Sequence, residues 1–326
     1  MKIKLLLFLL CFNSSVYSAA SFQEEEQTLT ATQQQELKKI EQLMAELFAD
    51  HEAVKNELVE NDSTATTQQN LTNNDLTNKK EAIEHNKVYS LPEEMKKQLL
   101  DDMIWVEGGD FNMGSNQPEA SPRETPEHTV VLDEFYIGKT EVTQALFEQL
   151  MGWNYSYNPC PACAMNNLSW FNMQLFIAKL NHATGKTFRF PTEAEWEYAA
   201  KGGQQSKNYT FSGSNNIDDV AWYAGNANKK SHHVGQKMPN ELGLYDMTGN
   251  VWEFCQDDMS RKAYSKETRT NPLIGNMTQM NRPAMKVLRG GGYEFSANES
   301  QVYRRDGATN NVRMPDIGFR LAMSKK

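Results

Sequence analysis

Gly243-Leu-Tyr-Asp-Met-Thr-Gly-Asn-Val-Trp-Glu-Phe254, followed downstream by Val287-Leu-Arg-Gly-Gly-Gly-Tyr293 and Gly318-Phe-Arg-Leu-Ala322, is the most informative stretch of this 326-residue chain. Glycine this dense, interleaved with Trp, Tyr and carboxylates, implies tight turns and close backbone approach within a packed, loop-rich domain. Asp246 and Glu253 bracket Gly249-Asn250. One loop can therefore offer a hard divalent cation both carboxylate oxygens and turn-exposed carbonyls. The competing reading pairs these two carboxylates with arginines and needs no metal.

Working outward, apolar runs predict strands over 104–111, 129–137, 285–289 and 317–323. Helices are predicted over 91–100, over 143–151 with Thr140 as the cap, and over 170–184, ending before Gly185. Another begins after Pro191, where Thr192 and Glu195 have the spacing of a capping box. Beyond Lys201 the chain reads mostly as turns. The elements are mixed, short and connected by many Gly and Asn loops.

Upstream the composition changes. Residues 1–20 read as a signal peptide, with Lys2 and Lys4, an apolar run from Leu5 to Phe12, and a small-residue cleavage site at Val16-Tyr-Ser18 or Ser18-Ala-Ala20. That run is too short to span a bilayer and no second one follows, so the expectation is a protein exported to a periplasm or secreted, without a transmembrane segment. Cys11 follows Leu9-Leu10 rather than a small residue, which argues against lipidation. Residues 21–62 read as helical. Leu37, Ile40, Met44, Leu47, His51, Val54 and Leu58 alternate three and four apart, the seam of a coiled coil over 37–58. That seam supports either a homo-oligomer or an amphipathic helix packed on its own domain. Residues 63–92 read as a flexible linker, too poor in apolar residues at its start to offset the entropy of ordering. The formal charge of -9 and pI near 5.3 exclude a nucleic-acid-binding face, which needs clustered Lys and Arg.

Removal of the leader leaves Cys160, Cys163 and Cys255. In an oxidising compartment Cys160-Pro-Ala-Cys163, set in turn-forming Asn158-Pro159, reads as a disulfide stapling a loop, with a redox-active pair as the alternative. Cys255 reads as a small buried hydrophobe. His232-His233 reads as an exposed pair, able to bind a transition metal only with ligands from elsewhere in the chain.

The glycine-rich segments resemble, in order and spacing, the signature of the formylglycine-generating enzyme family, also called sulfatase-modifying-factor domains. The resemblance extends through Trp105-Val-Glu-Gly-Gly-Asp-Phe-Asn-Met-Gly114, Phe135-Tyr-Ile-Gly-Lys-Thr-Glu-Val-Thr143 and Phe190-Pro-Thr-Glu-Ala-Glu-Trp-Glu-Tyr-Ala199, and it covers residues 103–323. It implies an α+β, loop-rich, C-type-lectin-like fold, here carrying an N-terminal helical extension. It also implies calcium, held by the Asp246 side chain, the Gly249 and Val251 carbonyls and the Glu253 carboxylate. Asn228 matches one ligand of a second family calcium site, but the step from Lys229 to Gly235 lacks an acidic partner.

Catalytic members carry two copper(I)-binding cysteines just after the third glycine. The resemblance places Phe295 and Ser300 at those positions, with Gly292 replacing a serine. Neither a phenyl ring nor a hydroxyl suits copper(I), so copper is not expected and the family's oxidase chemistry is unsupported. Trp252, Tyr293 and Phe295 could line a groove with Arg304 binding a carboxylate or peptide carbonyl. Alternatively these residues are core, and the arginines neutralise Glu193, Glu195 or Asp246. The expected function is a calcium-stabilised binding or maturation-accessory protein that recognises a peptide, protein or glycan. The alternative is a formylglycine-generating or divergent metal-dependent oxidase acting on a partner protein or secondary metabolite. His51 and His85, the histidines of the extension, are too few for a three-histidine iron site.

Overall fold

Polar or glycine-bearing dipeptides interrupt the apolar runs, and at those points the chain crosses from one sheet to another. The computed structural model describes residues 91–260, 263–275 and 284–325. The run expected as a single strand over 104–111 is two, β1 (Met103–Val106) and β2 (Gly109–Met113), separated at Glu107-Gly108. That over 129–137 is likewise β3 (His128–Leu132) and β4 (Phe135–Gly138), separated at Asp133-Glu134. β2 pairs with β3 and β1 with β4, both antiparallel, in separate sheets.

Helices follow. α1 (Glu93–Asp101) precedes β1, and α2 (Gln144–Met151) follows β4. The α2 cap is Thr143, whose Oγ1 accepts from the Leu146 N–H at 3.2 Å. Thr140, the expected cap, instead donates its hydroxyl to the Glu141 carbonyl. α3 (Trp170–Thr184) opens on a capping box between Ser169 and Asn172 and ends at Gly185 in the left-handed conformation. It buries Trp170, Met173, Phe176, Ile177 and Leu180, each contributing on the order of 2 kcal/mol of hydrophobic stabilisation. After β5 (Phe188–Arg189), α4 (Glu193–Ala200) starts at the Thr192/Glu195 capping box. A short α5 (Ile217–Val220) interrupts the long loop region.

The remaining strands are β6 (Trp252–Asp258), β7 (Arg269–Thr270), β8 (Met285–Arg289), β9 (Arg305–Thr309), β10 (Ile317–Gly318) and β11 (Ala322–Ser324). They complete three sheets, ordered β1-β4-β11-β5, β10-β6-β8-β9 and β2-β3-β7. The strand expected over 317–323 is therefore β10 and β11 in two different sheets. The turn between them sends Phe319 into the apolar core and Arg320 toward β6. A Cβ at Gly318 would overlap the Met165 carbonyl, so glycine is required there by close approach.

One apolar cluster joins α2 and α3 to Phe190, Phe254 and Phe319, with Phe147 stacked on Phe176 at 5.1 Å. A second surrounds Trp196 and Tyr198 of α4, together with Val106, Val130 and Val287. Leu91 is buried in the first cluster and Pro92 caps α1, so the domain begins inside the stretch expected as linker. The signal peptide over 1–20, the helical stretch over 21–62 with its seam at 37–58, and residues 63–90 lie outside the described residues.

Candidate functional site

Asn250 organises the glycine-rich loop. At φ 58° it adopts the left-handed backbone, as does Asp246 at 54°. Such conformations persist in non-glycine residues where surrounding contacts impose them. The Asn250 N–H donates to the Trp222 carbonyl at 2.7 Å, and its own carbonyl accepts from Tyr293 at 2.9 Å. Its Oδ1 accepts from the His232 N–H and its Nδ2 donates to Glu141 Oε1, each at 2.9 Å. A single side chain thus ties together segments around 141, 222, 232 and 293.

Around it sit three buried carboxylates, Glu141, Asp246 and Glu253, with one guanidinium, Arg320. Glu253 is fully engaged. Its Oε1 accepts from Arg320 Nη2 and its Oε2 from Arg320 Nε, both at 2.6 Å, and Oε2 also accepts from Trp196 Nε1 at 2.7 Å. Its carboxylate therefore belongs to an ion pair. Asp246 Oδ2 accepts from the Gly235 N–H at 2.6 Å. Asp246 Oδ1 and Glu141 Oε2 are buried and accept from no N–H or hydroxyl donor, and the two carboxyl groups lie close enough to share a hydrogen bond when one is protonated.

Burial and, next, the Asp246 charge push the Glu141 carboxyl well above its usual range. Burial chiefly, with the Glu253 charge adding to it, lifts Asp246 to about 6, against the lowering effects of the Gly235 N–H and Arg320. Both shifts favour the neutral carboxyl, so the cluster relieves its crowded charge by holding protons unless a cation replaces them. Two buried acid oxygens without an N–H or hydroxyl donor, near a turn at Gly249, are a donor set that a hard cation fits in place of a proton. Glu141 is the residue that sequence reasoning missed. It is the single acid in the Phe135–Thr143 motif, and that is the signal that could have identified it.

The arginines largely follow the structural alternative. Arg305 binds Glu193 through Nε at 2.6 Å and Nη2 at 2.5 Å. Arg189 holds Glu195 at 2.6 Å and 2.7 Å, and Arg289 pairs with Glu197. Arg304 donates to the Asn298 carbonyl and to Glu124 Oε2, at 2.7 Å and 2.9 Å. It is therefore committed to Glu124 rather than open to a ligand. Trp252 and Tyr293 are buried in separate apolar clusters.

Phe295 is half-buried and packs edge-on against Trp252 at 5.3 Å. Ser300 is fully buried and donates its hydroxyl to the Ser296 carbonyl at 3.1 Å. Gly291, at φ 78°, lies so close to Ser300 that an added Cβ would stand 2.8 Å from the serine Cβ and 2.9 Å from its Cα. No room for a side chain is left between Gly291 and Ser300. Cys255 is buried too, and burial together with the Glu193 charge pushes its thiol well above the ordinary value. It stays protonated and inert.

Asn228 is exposed on a left-handed turn with Lys229. His232 is not exposed as expected: its ring stacks on Trp222 at 3.9 Å and its Nε2 lies 2.8 Å from the Ala227 carbonyl. Cys160 and Cys163 form a disulfide. On the flank of Glu141 a cleft of about 220 Å³ is lined by Met95, Leu99, Val142, Leu146 and Leu321.

Residues 88–325 match the Sulfatase-modifying factor enzyme 1-like domain. The chain belongs to this family. It is 31% identical to the chaperone protein LppX of Paenibacillus barcinonensis, across 70% of this chain and 91% of LppX. It is 28% identical to the formylglycine-generating enzyme of Streptomyces coelicolor, across 67% of this chain and 88% of that enzyme. Among solved structures, Treponema denticola variable protein 1 superposes with a TM-score of 0.61 at 29% identity, covering 68% of this chain and 95% of that protein. The α+β, C-type-lectin-like architecture of sulfatase-modifying-factor domains is thus the fold of this chain. Among the described residues no helix is long and apolar enough to cross a membrane.

Proposed function

We propose that this member of the sulfatase-modifying-factor family is an exported accessory protein that binds a partner polypeptide without oxidising it. The observation that carries the reading is the pair Phe295 and Ser300. At the positions where the family resemblance places copper-binding thiolates stand a ring packed on Trp252 and a hydroxyl bonded to a carbonyl. Copper(I) chemistry in this family depends on sulfur ligands, and neither group supplies one. The similarity to a protein named as a chaperone supports an accessory role. The cleft beside Glu141 is smaller than a typical small-molecule pocket. Its apolar lining suits one large side chain of a partner segment.

A calcium ion is part of the same proposal. Asp246 Oδ1 and Glu141 Oε2 would hold it with carbonyls of the Gly249–Val251 turn, and Glu253 would act from behind through its pairing with Arg320. When bound, the ion would supply charge balance and rigidity to the loop.

The test is to incubate the purified full chain with copper(I), dioxygen and a cysteine-containing sulfatase peptide. No oxygen uptake above the peptide blank and no aldehyde in the peptide are expected, and turnover would overturn the reading. A random peptide display library selected on the full chain is expected to enrich large apolar residues, with enrichment lost in Leu146→Arg. Enrichment that survives this substitution would remove the cleft from the proposal.

A further inference from the structure

Away from the carboxylates, one group of side chains has both the composition and the spacing of a metal site. Cys160, Cys163 and His233 place a ligand atom each within 4.8 Å of one another, and they are the sole such group of three or more His, Cys, Asp or Glu among the described residues. Two segments distant in sequence create it. The turn at Cys160-Pro-Ala-Cys163 is closed by the Cys163 N–H to the Cys160 carbonyl at 2.9 Å. An isolated antiparallel bridge then sets Cys163 opposite His233, locked by the Val234 N–H to the Ala162 carbonyl at 3.0 Å. The turn is anchored to α2, because Gln144 Oε1 accepts from the Cys160 N–H at 2.8 Å. Cys163 is buried, Cys160 is half-buried and His233 is exposed. The site thus has a fixed floor and an open side.

The spacing is chemically specific. Two cysteines separated by two residues on a turn are a recurrent chelate for zinc, and a histidine from another segment is a common third ligand. Thiolate and imidazole donors select thiophilic d10 cations over calcium or magnesium. In the structure the sulfurs are joined as a disulfide, and a disulfide and a metal compete for the same electron pairs.

We propose that Cys160, Cys163 and His233 form a redox-gated site for a thiophilic d10 cation, zinc(II) or copper(I), closed as the disulfide and open as the dithiol. A dithiol donor passes two electrons and two protons to the Cys160–Cys163 bond, giving two thiols and the donor's own disulfide. The cation then binds both sulfurs, whose protons go to solvent, and one nitrogen of His233. The fourth position faces outward beside His233 and takes water or a partner's ligand. Oxidation by a disulfide-forming catalyst reverses the sequence and expels the ion. Nothing in this site depends on the calcium proposal or on the copper positions at Phe295 and Ser300.

The experiment uses the full chain, oxidised or reduced with a phosphine under anaerobic conditions, and titrates zinc(II) against a chromophoric chelator. One equivalent bound by the reduced chain and none by the oxidised chain is expected. Cobalt(II) substituted for zinc is expected to show a sulfur-to-cobalt charge-transfer band. His233→Ala should weaken zinc by at least about tenfold, the level at which even outer-shell changes begin to act. Cys160→Ser should abolish stoichiometric binding while its melting temperature remains that of the reduced wild type. Equal affinity in His233→Ala would overturn the three-ligand site. Retention in Cys160→Ser, or no binding by the reduced chain, would overturn the proposal altogether.

Discussion

Replacing Arg320 by Met tests the electrostatic frame of the carboxylate cluster. Arg320 is wholly buried. It makes two 2.6 Å bonds to Glu253, one to the Gly138 carbonyl at 3.1 Å and one to the Tyr245 carbonyl at 3.0 Å. Removing one partner of a buried pair costs about 3–5 kcal/mol. Each carbonyl left without its donor adds about 1 kcal/mol. The sum of roughly 5–7 kcal/mol is comparable to the whole stability of many domains, about 5–15 kcal/mol. For a domain of this size it corresponds to a fall in Tm of about 10–25 °C. Guanidinium unfolding followed by tryptophan fluorescence, in chelator, reads the loss directly. The cause is uncompensated negative charge at Glu253, so Arg320→Met/Glu253→Gln should recover about 2 kcal/mol or more relative to the single variant. A loss below about 1 kcal/mol, or a double variant no more stable than Arg320→Met, would refute the reasoning.

Calcium at one hundred times its Kd is expected to stabilise the chain by about 2.7 kcal/mol, and Asp246→Asn or Glu141→Gln should reduce this shift in differential scanning fluorimetry. Equal shifts in all three proteins would remove the metal from this loop. Asp257, whose oxygens accept from the Glu193 and Ile274 N–H groups at 2.8 Å, is pushed up to about 7 by burial and then by the Glu193 charge. A raised folded-state value means stability that is full below the unfolded value and lost as pH climbs from about 4 to about 7, by up to about 4 kcal/mol. The advantage of wild type over Asp257→Asn should therefore shrink as pH rises from 5 to 8 (measured by urea unfolding), and a constant difference would contradict the assignment. Gly291→Ala introduces a Cβ 2.9 Å from the Ser300 backbone at a left-handed position. It should cost about 2–5 kcal/mol from strain and overlap together. Ser300→Ala, which leaves that backbone in place, should not rescue it in a thermal melt.

The helices were legible because their start signals are short-range. Thr192 and Glu195 lie three residues apart and exchange hydrogen bonds within that turn, and Gly185 stops α3 by its own φ of 67°. β6 was not legible. Its seven residues are nearly all buried, acids included, so it shows neither alternation nor an apolar run. The split of Thr129–Ile137 into β3 and β4 was hidden for a related reason: the pattern shows which residues are apolar, not which sheet each half joins. Within the site, the turn at Gly249-Asn250 could be read from the residues themselves, whereas Phe295 and Ser300 were singled out only by the family resemblance.

From its letters alone, the chain already specified a family domain, the Thr192/Glu195 capping box and the glycine-rich turns, because each is a property of residue identity at short sequence distance. The placement of Glu141 beside Asp246, of Arg320 against Glu253 and of His233 beside Cys163 came from packing. Coulomb and coordination energies depend on separation in space. For residues that far apart along the chain, the packing of loops and strands against one another sets that separation.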